Sequence, residues 1–214
     1  MSNRKFPFLP AALAVSALAL VCLTRPAPLQ VHASQDNQPI YNAKGQLQLP
    51  AKYREWIYLS TGLGMNYTPN ADQAASDPMF DNVFVNPEAW RSFQSTGTWP
   101  DKTMLVLESR RSSSHGSINQ AGHYQSTSRM GLEVHIKDTQ HFPAGQFPGG
   151  WAFVSFDNGA DGQLFQPKAD CYTCHQQHAA VDTTFVQFYP TLLPLATSEH
   201  TLSPAYLAEE AARH

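Results

Sequence analysis

The clearest alternation of apolar and polar positions runs from Gly131 to Lys137. Leu132, Val134 and Ile136 fall on one side, and Glu133, His135 and Lys137 on the other. A period of two is that of a β-strand with one covered face. Thr103–Glu108 and Trp151–Phe156 are each about a strand long, and Asn82–Val85 is a shorter apolar run. Tyr53–Leu59 is apolar and aromatic and suits either strand or helix. Asn86-Pro87 followed by Glu88-Ala89-Trp90 predicts a cap, a proline in the first turn and a short helix to about Ser95. The Gly-, Pro-, Ser- and Asn-containing stretches 62–76, 112–128 and 142–150 read as loops. Lys168–Ala180 has helical composition, and 205–214 is a helix or a frayed end. Strands first and a helix late predict an α+β domain: a mostly antiparallel β-sheet with a few helices.

The 214 residues are enough for one ordinary domain, and the first of them do not read as part of it. Arg4 and Lys5 precede an uncharged apolar run, Ala11–Leu23, and Val31-His32-Ala33 offers small residues for cleavage. This is the pattern of a secretory signal peptide over 1–33. The run is short for a bilayer span, which makes a retained anchor the lesser alternative. Cys22 raises a lipoprotein, but Val21 before it is bulky for that processing. Residues 24–39 are rich in Pro, Gln, Ala and Asn, and 34–49 is read as a linker. Losing Arg4, Lys5 and Arg25 with the signal takes the net charge from −3 to −6. Phosphate binding needs a basic patch, so a nucleic-acid partner is not expected. The expected location is the periplasm.

After cleavage only Cys171 and Cys174 remain. In an oxidising compartment thiols tend to be occupied. Cys171-Tyr172-Thr173-Cys174-His175 is C-x-x-C-H, the pattern of c-type haem attachment. Two thiols must reach two vinyl groups on one porphyrin edge while the histidine brings a ring nitrogen to iron, and a short helical segment can satisfy all three. His175 is then the axial iron ligand of one covalently bound haem c. Three other readings stay open. A C-x-x-C redox pair would sit in a βαβ pattern, which is absent here. A zinc site using Cys171, Cys174, His175 and His178 would close its tetrahedron awkwardly. The plainest alternative is two structural cysteines beside a surface histidine.

With these residues in view, the chain resembles the cytochrome P-460 family, which includes the cytochromes c′-beta. The likeness covers about residues 50–194, with 195–214 left as a tail. It rests on ordered blocks: Leu49-Pro50 with Tyr53-Arg54-Glu55-Trp56; Val83-Phe84-Val85-Asn86-Pro87; Thr96-Gly97-Thr98-Trp99-Pro100-Asp101; Val106-Leu107-Glu108; Gly131-Leu132-Glu133 with Lys137-Asp138; Gly150-Trp151-Ala152-Phe153; the Cys171–His175 motif; and Val181-Asp182 leading to Gln187-Phe188-Tyr189-Pro190. The resemblance implies a homodimer with a five-coordinate haem on His175 and an open distal side. It implies two activities: binding of nitric oxide or carbon monoxide, or oxidation of hydroxylamine by members whose haem carries a further lysine cross-link. A redox partner protein is expected with either.

In the block resembling the cross-linking strand, Leu107 stands in the lysine's place. Lys102 is five positions earlier and of the wrong strand parity. No lysine–haem cross-link is therefore expected. Leu105 and Leu107 would form an apolar distal wall that favours small neutral gases, although either could be plain core. Glu133 takes the place where the resemblance puts a distal carboxylate, and could move protons in hydroxylamine oxidation. The alternation alone makes it a solvated residue beside His135 and Lys137. A sixth ligand from Met65, Met79, Met104 or Met130 would instead make the protein an electron carrier.

Overall fold

The computed structural model describes residues 37–67 and 78–213. The segment read as a signal peptide, 1–33, lies outside the described residues, among which no helix is long and apolar enough to cross a membrane. The fold is α+β. Six strands, β1 (Ile57–Leu63), β2 (Met79–Val85), β3 (Met104–Ser113), β4 (Tyr124–Lys137), β5 (Trp151–Ser155) and β6 (Gln163–Leu164), form one antiparallel sheet in chain order. Among the described residues four α-helices accompany it: α1 (Pro87–Thr96), α2 (Asp170–His178), α3 (Leu193–Ser198) and α4 (Pro204–Ala212).

Tyr53–Leu59, which suited either state, contains both: a 3-10 turn over Tyr53–Glu55, then β1. The central hairpin is longer than its hydrophobic pattern. Residues 112–128, expected to be a loop, contribute Ser112–Ser113 to β3 and Tyr124–Ser128 to β4. The exposed arm of a hairpin needs no apolar alternation, because its ladder and polar side chains hold it. Arg110 donates to the Ser126 and Thr127 carbonyls, and Asn82 pairs with Gln125.

Leu132, Val134 and Ile136 do share a face, fully buried with Met104, Val106, Ala152 and Val154. The opposite face is covered as well. There Val85, Leu105 and Trp151 pack with Phe93 of α1, Trp99, Val181, Leu192 and Ala196 of α3. His135, expected among solvated groups, is consequently buried.

Both ends of the domain lie further out than the sequence suggested. Part of the expected linker, residues 37–49, belongs to the fold: Leu47 is in the core, Tyr41 donates to the buried Asp138, and Asn37 accepts from Trp56 Nε1. Residues 195–212 are likewise packed, through α3 and through Leu202 and Tyr206 against the second cluster. Helix α1 begins at Pro87 as expected, but the Asn86 side chain does not cap it. It accepts from the Met104 amide (2.9 Å) and donates to the Lys102 carbonyl (3.2 Å), tying the helix start to β3. Gly97 ends α1 in the left-handed region (φ 66°), where a Cβ would meet Glu199 and Thr201.

Candidate haem site

Helix α2 carries Cys171, Cys174 and His175 at i, i+3 and i+4, so a 3.6-residue period puts all three on one broad face. Tyr172 turns the other way and anchors the helix to the sheet. It is buried, its hydroxyl accepts from the Phe153 amide (3.2 Å) and donates to the Phe165 carbonyl (3.3 Å), and its ring meets Phe153 edge-on. Asp170 in the first turn complements the helix dipole. Both cysteines are half-buried free thiols.

His175 lines a cavity of about 260 Å³ whose floor is the covered sheet face. Cross-strand register sets that floor. One row runs Ser60, Val83, Leu107, Glu133, and the next contains Leu105, His135 and Phe153. Asp81 and Gly62 mark a third. Leu105, Leu107 and Glu133, singled out from the sequence, are therefore brought to the same space as His175. The two thiols flank it instead of lining it. Cys171 is close enough to feel the charge of Glu133, and Cys174 to be felt by the cavity residue Tyr67.

The His175 ring is wedged between Phe185 (centroids 4.2 Å), Phe153 (4.6 Å) and His135 (5.0 Å). Its Nδ1 lies 2.8 Å from the Thr183 carbonyl. A carbonyl only accepts, so Nδ1 carries the proton and Nε2 keeps its lone pair. Burial pushes the His175 pKa down, and burial with its neighbour His175 pushes that of His135 well down. Both rings are thus held neutral. Burial, then the charges of Asp157 and Asp81, push the Glu133 carboxyl up. Burial likewise raises the Cys171 thiol, which keeps it protonated.

None of the described lysines lines the cavity. Lys102 is paired with Asp138 and Lys137 with Asp182. Of the four candidate methionines, Met104 is core, and Met79 and Met130 are exposed and do not line the cavity. Met65 does line it, with room made by Gly62, where a Cβ would stand 2.5 Å from the Met65 sulfur. His178 is on the outer side of α2, bonded to Glu209.

Sequence reasoning missed His135, Asp81 and the Thr183 carbonyl. The first shares strand parity with Glu133 and could have been taken from that. Nothing in the composition of Val181–Thr184 marks Thr183 as an acceptor. As a donor set for a haem the residues fit: two free thiols and a neutral histidine with an available nitrogen on one helix face, over a largely apolar cavity.

A family model for Cytochrome P460 matches residues 50–186, well over half of the chain. No curated protein matches it.

Proposed function

The chain belongs to the cytochrome P460 family and is a haem cytochrome; on that premise we propose an exported periplasmic protein with one covalently bound haem c, whose iron is held by His175 and binds a small neutral ligand such as nitric oxide. The observation that carries this reading is the His175 geometry. Nδ1–H is engaged by Thr183, and Nε2 is left as a lone-pair donor in a cavity walled by Leu105 and Leu107.

The bound haem supplies an iron that takes up small ligands. The chain does the rest. Cys171 and Cys174 tether the group, Thr183 fixes the tautomer and tilt of His175, and the two leucines disfavour water and anions on the sheet side. A redox partner protein and a homodimeric assembly go with this reading, and no nucleic-acid partner does.

An absorption spectrum of the purified holo-protein, ferric and dithionite-reduced, tests it. The expected result is an ordinary high-spin c-type spectrum that changes on adding nitric oxide. A strongly red-shifted reduced Soret band would mean a modified porphyrin and would overturn the assignment of Leu107. A low-spin spectrum unresponsive to nitric oxide would point to Met65 as a sixth ligand and to electron transfer.

The second reading, hydroxylamine oxidation, draws on Glu133, a carboxyl in the cavity with a raised pKa. As a proton acceptor it must be ionised, so turnover would rise with pH through a value above the ordinary glutamate 4.5. Glu133→Gln should leave nitric oxide binding in place. It should cut any steady hydroxylamine turnover by about 10²–10⁴-fold and remove that pH limb. Full turnover in this variant would eliminate the proton-transfer role.

A further inference from the structure

The carbonyl that engages His175 is delivered by an unusual turn. Val181 and Thr184 close it from both sides, with amide-to-carbonyl distances of 2.8 and 3.3 Å. The two residues between them, Asp182 and Thr183, are both left-handed, at φ 50° and 61°. Neither is glycine, and Thr183 is β-branched, so the conformation is costly and persists only where its surroundings over-determine it.

The surroundings do so from both ends. Asp182 Oδ2 is 2.5 Å from Lys137 Nζ, and the same ammonium donates to the Trp99 carbonyl at 2.9 Å. Trp99 Nε1 donates to Thr184 Oγ1 at 2.7 Å, and that hydroxyl donates to the Val181 carbonyl at 2.6 Å. Lys137 thus joins the end of β4 to the turn, and Trp99 joins the segment before β3 to it.

We propose that Lys137 and Asp182 are positioning residues for the axial histidine: their ion pair clamps the Val181–Thr184 turn so that the Thr183 carbonyl presses on His175 Nδ1–H, strengthens the histidine as an iron donor and lowers the haem reduction potential. The inference rests on His175 being the axial ligand and deepens that reading. A firmer hydrogen bond to Nδ1–H raises the basicity of Nε2, and a more basic axial ligand favours ferric over ferrous iron. Neither residue touches the cavity, so neither would act by contact with a ligand.

The test uses the full haem-loaded protein and the variants Asp182→Asn, Lys137→Met and Lys137→Arg. Asparagine tolerates the left-handed region, so Asp182→Asn removes the charge while keeping the backbone accessible. Two readouts are taken: the iron–histidine stretching band in ferrous resonance Raman, and the reduction midpoint. Asp182→Asn and Lys137→Met are expected to shift the band to lower frequency and the midpoint to more positive values, and Lys137→Arg to restore both. Haem-loaded Asp182→Asn with an unshifted band and midpoint overturns the clamp while leaving the haem reading intact. Wild-type protein that carries haem but shows no iron–histidine band overturns the axial assignment and the clamp with it.

Discussion

The double variant Cys171→Ala/Cys174→Ala is expected to retain no haem on the polypeptide after denaturation, whereas the wild-type chain keeps all of it. The thiols stand at i and i+3 on α2 with His175 at i+4, and each single variant leaves one possible thioether. Single variants should therefore keep haem through denaturation and shift the reduced absorption maximum in proportion to the vinyl group left unreacted. A haem stain of a denaturing gel sets the double variant apart, and the reduced absorption maximum separates the single variants from wild type. Haem surviving denaturation in the double variant would require another covalent link. The chain's lysines argue against one, since Lys102 and Lys137 are held in ion pairs and no described lysine lines the cavity. Mass spectrometry of the wild-type haem peptide should accordingly find porphyrin on 171–175 alone.

The largest effect on stability is expected from Glu108→Ala. Glu108 lies beside Leu107 on the face away from the cavity, with 1 % of its side chain exposed. It accepts from Tyr53, from Arg54 (2.5 Å) and from Arg110 Nε (2.5 Å). Removing the carboxylate strands a largely buried Arg110 and an unbonded Tyr53 hydroxyl. Loss of one partner of a buried pair costs about 3–5 kcal/mol. Arg54 is half exposed, so its share is screened and the lower end applies. For a domain of this size that lowers the midpoint of thermal unfolding by about 10 °C.

The effect should depend on pH with a definite sign. Burial by itself would raise the Glu108 pKa, but hydrogen bonds from Arg110 and Tyr53 and the charges of Arg54 and Arg110 bring it below the ordinary 4.5. A depressed carboxyl contributes its stability above the unfolded-state value and loses it as pH falls through the folded one. The gap between wild type and variant should be constant near neutrality and narrow below about 4.5. A gap unchanged in acid would mean the loss is one of packing, not of charge.

These two predictions draw on residues of different visibility. The thiols and His175 were legible because their spacing is itself the chemistry. The central strand was legible from Leu132, Val134 and Ile136, since alternation reports a covered face. The hairpin arm 109–113/124–130 was not, because serines, glutamines and arginines hold a ladder there without leaving a hydrophobic trace. Glu108 looked like one more strand residue. Its hydrogen bonding with three partners, Tyr53, Arg54 and Arg110, gives a physical reason why the Tyr53-Arg54 and Leu107-Glu108 blocks occur together. Segment 37–49 was read as a linker because its polar composition dominates, although Tyr41 and Leu47 suffice to pin it to the core.

Local periodicity alone therefore determined the shared face of Cys171, Cys174 and His175 on α2, the strand alternation of β4 and the place of Leu107 on the same side as Leu105. These follow from 3.6 and 2.0 residues per turn and need no partner. Folding in three dimensions decided the remainder. Whether the Glu133–His135–Lys137 side of β4 is wet or buried depends on α2, α3 and the 181–184 turn packing over it, and those lie more than 30 positions later in the chain. Thr183 acquires its function from a backbone carbonyl. Every residue has one, so nothing in the identity of position 183 marks it out; the left-handed turn and the Lys137–Asp182 pair aim it at His175.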